Sequence, residues 1–224
     1  MSAHIVAQIE RVISGEVDHT LFGADRGHPP KVIFPGSFHP LHEGHREIAR
    51  LAAELIGHPV YYEIAIHNVD KPSISVEQII KRLEQFDKME TVAVTGAMQF
   101  FQKAVCFPKT VFAVGIDTLI RIGSVAYYAT DDRTDSEEAV LRRDRAIDRI
   151  AAEGCRFLVF GRKVDQNFCT LEELVLPAPL KRLCQSVPES CFRHDISSSD
   201  LRENQTPRHH TNEAPGATDP SSKT

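Results

Sequence analysis

Apolar residues in this chain fall into short β-branched or aromatic runs, separated by stretches in which they recur every three or four positions. The first run, Lys31 to Phe34, predicts a short buried strand ended by Pro35-Gly36. From Glu43 to Ile56 the residues Ile48, Leu51, Ala52 and Leu55 keep helical spacing, and Gly57-His58-Pro59 stops the helix. Val60 to Ile66 reads as a second strand, rich in β-branched and aromatic residues. Val76, Ile79, Ile80, Leu83 and Phe86 form the stripe of another helix, with Ser75 placed to cap it. Thr91 to Thr95 and Thr110 to Val114 predict further strands, with a Phe-rich segment between them. A charged helix follows over Ser136 to Glu153, with Val140, Leu141, Ile147 and Ile150 inward, and then a strand at Phe157 to Phe160. Strands alternating with helices predict an α/β fold: a doubly wound parallel sheet of about five strands, with helices on both faces.

The ends depart from this rhythm. Residues 1–30 hold a short helix (Ile5, Val6, Ile9, Val12, Ile13) and a Gly/His/Pro linker, and the main domain spans 31–202. Residues 203–224 are polar, with three prolines, and predict a disordered tail. Composition adds exclusions. At 42% hydrophobic the chain of 224 residues is not wholly disordered. No apolar run approaches the ~18 residues of a membrane span, and the first residues lack the basic-then-apolar pattern of a secretory signal. Five scattered cysteines fit reduced thiols and a cytoplasmic setting. A net charge of −5 argues against a nucleic-acid partner.

The stretch from Val32 to His45 carries the most chemistry. A buried strand runs into Gly36-Ser37-Phe38, then Pro40, then His42-Glu43-Gly44-His45, where a helix begins. Gly36 and Gly44 would let a ligand approach the backbone, and the helix start presents free N–H groups and a positive dipole end to an anion. Two imidazoles three residues apart can both donate to one phosphate, which suits phosphoryl chemistry without a covalent intermediate. Zinc ligation by His39, His42 and His45 is the rival reading; Pro40 and Gly44 break the regular ligand face it would need. His42-Glu43-Gly44-His45 is also one residue short of the HExxH protease spacing.

Gly36-Ser37-Phe38-His39-Pro40-Leu41-His42-Glu43-Gly44-His45 resembles the GSFxPxHxGH signature of the nucleotidylyltransferase superfamily. Its Phe and Pro are most similar to the nicotinate and nicotinamide mononucleotide adenylyltransferases. Ile196-Ser197-Ser198-Ser199-Asp200-Leu201-Arg202 is similar to that family's late ISSTxIR, and Gly115-Ile116-Asp117 to its GxD turn. Gly161-Arg162 follows a later strand, as an Arg near the nucleotide often does there; Lys71 and Arg82 fit more loosely. His39 stands where Asn or Asp is usual, Ser199 replaces Thr, and no Trp is present to stack on a pyridine ring.

The resemblance implies a Rossmann-like fold and transfer of AMP from ATP to a phosphorylated acceptor, best a nicotinate or nicotinamide mononucleotide, with release of pyrophosphate. His42 and His45 would be catalytic. Gly36, Ser37, Phe38, Gly44, Lys71, Gly115, Asp117, Gly161, Arg162, Ser197, Ser198, Ser199 and Arg202 would bind nucleotide, with Mg²⁺ carried mainly by the ATP phosphates and no metal held by the protein itself. A homo-oligomer is a further expectation. Alternatives remain for several residues: Asp117 as a turn former, Arg162 and Lys71 as solvated charges, Ser197 to Ser199 as a plain helix cap. For the reaction, they are a cytidylyltransferase using CTP, or a nucleotide-binding protein that hydrolyses ATP slowly without an acceptor.

Overall fold

The structure is a computed structural model that describes residues 3–67, 73–129, 136–164 and 167–192. Helix α1 (Ala3–Ile13) is followed by β1 (His19–Phe22), β2 (Val32–Pro35), α2 (Glu43–Ile56), β3 (Val60–Ala65), α3 (Val76–Leu83) and β4 (Thr91–Thr95). Then come α4 (Phe100–Cys106), β5 (Val111–Gly115), α5 (Ile116–Gly123), α6 (Glu137–Ala152) and β6 (Arg156–Phe160). A hairpin of β7 (Arg162–Val164) and β8 (Asn167–Cys169), helix α7 (Ala178–Lys181) and β9 (Cys184–Val187) complete the described chain.

A seven-stranded sheet in the order β1-β4-β3-β2-β5-β6-β9 forms the centre, parallel throughout except for β1, which runs antiparallel beside β4. Alternation along the strands divides the core. Val32, Phe34, Tyr62, Ile64 and Leu158 pack on the α2 side, whereas Ile33, Tyr61, Phe112, Val114 and Phe157 pack with Phe100 and Ala104 of α4 and Ile147 and Ile150 of α6. The sheet is therefore doubly wound and Rossmann-like. β2 is flanked by β3 on one side and β5 on the other, so the topological switch lies between β2 and β5, where such folds open a crevice at the strand carboxyl ends.

The expectation of about five strands fell short by the two edges. β1 lies in the stretch read as a linker, and with α1 it joins the same packed body: Ile9 and Val12 share a cluster with Ile79, Ile80 and Val94. β9 adds the opposite edge beside β6. The Phe-rich segment is the helix α4. Leu141 is not inward but 47% exposed, and Ala139 and Ala146 take the buried face of α6 with Ile147 and Ile150. Ser75 caps α3 as expected, accepting from the Gln78 N–H, and α2 ends at Gly57 in the left-handed region. The late serine motif, Lys71 and the tail fall outside the described residues.

Candidate active site

The loop after β2 folds back over its own strand. Phe38, fully buried, adopts a left-handed backbone (φ 44°) and sets its ring edge-on to Phe34, His45, Tyr62 and Phe86 at centroid distances of 5.1–5.5 Å. Such a backbone costs a non-glycine residue about 1–3 kcal/mol, and burial of a large aromatic ring offsets it. The ring also explains Gly36: a Cβ there would lie 2.6 Å from Phe38 Cζ. The glycine makes room for the protein's own aromatic ring, where the sequence reading had assigned that room to a ligand. The Phe38 ring, whose residue the sequence singled out for nucleotide binding, is packed inside the loop.

Helix α3 holds this loop by its backbone. Arg82 donates to the Ser37 carbonyl at 3.0 Å. Gln85, just past the helix, donates to the Phe38 carbonyl at 2.9 Å and accepts from the Leu41 N–H at 2.8 Å. Gln85 was missed by sequence reading; it is a polar residue following a helix, and nothing local marks its partners.

His42 is the N-cap of α2, Gly44 is buried in the first turn, and His45 follows it. The two imidazoles stack at 3.7 Å between centroids with 26° between planes. The His42 N–H donates to His45 Nδ1 at 3.3 Å. With Nδ1 accepting, the proton of a neutral His45 ring sits on Nε2. Burial, and secondarily the charge of His42, push the His45 pKa down to about 3. His45 is thus a neutral Nε2–H donor at ordinary pH, mounted at a helix start whose own N–H groups favour an anion. Arg46 ties the same turn down, to Glu90 at 2.6 Å and to the Gln85 carbonyl at 3.2 Å, and Glu90 also receives the Tyr62 hydroxyl at 3.1 Å.

Across the switch, Gly115 is the N-cap of α5 and Asp117 lies in its first turn. Arg162, at the start of β7, pairs with the Asp117 carboxylate, joining two residues that the sequence singled out separately. Both side chains are about half exposed, so the pair orients the two loops more than it stabilises the fold. Gly161 sits where a Cβ would lie 2.7 Å from the Cys169 carbonyl oxygen, so its small size serves the β7–β8 hairpin. The sites expected at Lys71, Ser197, Ser198, Ser199 and Arg202 lie outside the described residues.

A cavity of about 670 Å³ opens at the carboxyl ends of β2 and β3, reaching α4 and α5 and including Gly36, Ser37 and His39 of the loop. Its lining holds a buried ion pair that sequence reading did not find: Lys103 Nζ lies 2.6 Å from Glu63 Oε1, with the two side chains 5% and 1% exposed. Thr95 donates to the same carboxylate oxygen, and Lys103 also donates to the Ala97 carbonyl at 3.0 Å. The available signal was a lone Glu inside the apolar strand Val-Tyr-Tyr-Glu-Ile-Ala, since a charge buried there requires a partner. Among the described residues no group of three or more His, Cys, Asp or Glu side chains could hold a metal ion. None of the described helices is long and apolar enough to cross a membrane.

A doubly wound sheet whose first central strand runs through a glycine-containing loop into a helix start at the switch point defines a Rossmann-like α/β protein. Residues 33–204 match the cytidylyltransferase-like family, and the chain belongs to it. Membership supports a nucleotidyltransferase activity in general terms. No curated protein matches the chain.

Proposed function

We propose that the protein transfers AMP from ATP to a phosphorylated acceptor of the mononucleotide class, releasing pyrophosphate. The observation that carries this reading is the stacked His42–His45 pair at the start of α2, with His45 held neutral and its Nε2–H outward of the capping contact. An acceptor phosphate oxygen attacks the α-phosphorus in line; the new P–O bond forms as the bond to the β-phosphate oxygen breaks, and pyrophosphate leaves with that electron pair. His45 Nε2–H, His42 and the Gly44 backbone N–H stabilise the negative charge that grows on the α- and β-phosphate oxygens. A fixed neutral donor suits this work, because it need not release or recover a proton during the step. Asp117 and Arg162 would bound the nucleoside end, and Ser197, Ser198, Ser199 and Arg202 the departing pyrophosphate.

Mg²⁺ belongs to this scheme as part of the nucleotide substrate, held by phosphates and water. ATP is preferred to CTP because Ser37 and Pro40 stand in the signature where cytidylyltransferases carry a GTFDxxHxGH form. The test is pyrophosphate release by the full chain with ATP or CTP, with and without a panel of phosphorylated acceptors. Release that requires both ATP and a mononucleotide is expected. Release with CTP alone of the two nucleotides, or orthophosphate without any acceptor, would replace the reading by a cytidylyltransferase or a hydrolase respectively.

A further inference from the structure

The cavity floor has a donor and an acceptor left over, and their arrangement selects a ligand. Both hydrogen bonds to the Glu63 carboxylate fall on Oε1, one from Thr95 and one from Lys103. Among the described residues Oε2 receives none, although Glu63 is 1% exposed and lines the cavity. Lys103 spends two of its three N–H bonds on Glu63 and the Ala97 carbonyl, which leaves one. A carboxylate oxygen that faces the cavity without a protein donor is open to a ligand donor. Nearer the loop, Arg82 and Arg121 line the same cavity, and the buried Arg82 Nε has no partner among the described residues. The volume falls in the range of small-ligand sites.

We infer that this cavity takes the acceptor with its phosphate toward the arginines and a primary carboxamide at the Glu63–Lys103 pair, and that the pair rejects the corresponding carboxylate. The carboxamide NH₂ donates to Glu63 Oε2 while its carbonyl accepts the remaining Lys103 N–H, so each spare group finds its complement. A carboxylate in the same place satisfies Lys103 but sets its second oxygen against Glu63 Oε2, lone pair to lone pair. Phe100 and Tyr127 supply aromatic lining for a planar head group in a chain that has no Trp. The inference deepens the reading of the chain as an enzyme that transfers to a mononucleotide, and rests on it for the acceptor class.

Isothermal titration of the full chain with nicotinamide mononucleotide and with nicotinate mononucleotide, each with and without ATP, tests the assignment apart from turnover. A preference for the amide of about 100-fold or more is expected, since sites built around a ligand hydrogen bond discriminate at least this strongly. Equal binding, tighter binding of the acid, or no binding of either ligand overturns it. Glu63→Gln should shrink the preference at least tenfold, and an unchanged ratio in a folded variant also overturns it. Should that variant fail to fold beside an unpaired Lys103, Glu63→Asp keeps the charge but withdraws the oxygen by one methylene, and must shrink the preference likewise. Selective amide binding without pyrophosphate release would leave the cavity assignment standing and remove the transferase reading. Pyrophosphate release at equal rates from both acceptors, with equal binding, would do the reverse.

Discussion

The two sides of the β2 strand end are built from opposite materials. On the α2 side the loop from Gly36 to Leu41 is closed around a fully buried phenylalanine, with four aromatic or imidazole rings in edge contact and α3 gripping its backbone. On the α4 side there is an open cavity whose floor is a buried ion pair rather than a packed ring cluster. Dry packing fixes geometry, which a transferred phosphoryl group requires whatever its acceptor is. A buried polar pair with spare hydrogen-bonding capacity instead reads the chemistry of what enters. One side would set the reaction and the other its substrate.

Substitutions can break that division. The largest effect belongs to the packed side: His45→Ala removes the fixed Nε2–H donor and should lower kcat by about 10³-fold, as loss of one preorganised oxyanion donor does elsewhere. Circular dichroism should show the fold retained, and near-normal turnover would refute the role. Next comes the ion pair. Lys103→Met leaves Glu63 buried without its counter-charge and should destabilise the chain by about 3 kcal/mol or more in urea unfolding, whereas Lys103→Met with Glu63→Leu should recover most of that loss. Equal stability of the single and double variants would show that the pair carries no buried-charge penalty.

The smallest effect is a pH dependence located at His45. Its pKa is held at about 3 in the folded chain against 6.5 for the free side chain. Between those values the unfolded chain binds a proton that the folded chain refuses, so stability is complete above pH 6.5 and falls as pH drops toward 3. By pH 5 the loss should be about 1–2 kcal/mol, read as the difference in unfolding free energy between the wild-type chain and His45→Gln. An identical pH profile for the two would place the buried imidazole's proton elsewhere.

What the sequence made legible followed from locality. β4, β5 and β6 are covered on both faces and so read as unbroken apolar runs, and the His42–His45 pair is visible because three residues separate its members. The edge strands β1 and β9 were hidden because they are four residues long and only partly buried, leaving neither alternation nor a run. α4 was hidden because Phe100 and Phe101 favour a strand by propensity, while packing against α6 decides for the helix. Leu141 misled for the opposite reason: small alanines, not the larger residue, form the face of α6 that meets the sheet. Glu63 and Lys103 lie 40 residues apart, and Asp117 and Arg162 lie 45 apart; only the crossing of chain segments at the strand ends makes either pair.

The grip of α3 on the loop has a consequence for how such a protein can change. Arg82 and Gln85 touch only main-chain atoms there, the carbonyls of Ser37 and Phe38 and the N–H of Leu41. These α3 contacts therefore hold the segment without reference to the side chains at 37 and 39. Ser37 and His39, which line the cavity, are left open to drift under selection for a new ligand while the imidazoles of His42 and His45 keep their place. A scaffold held by its backbone in this way is a template on which one chemistry can be retained and its customers exchanged.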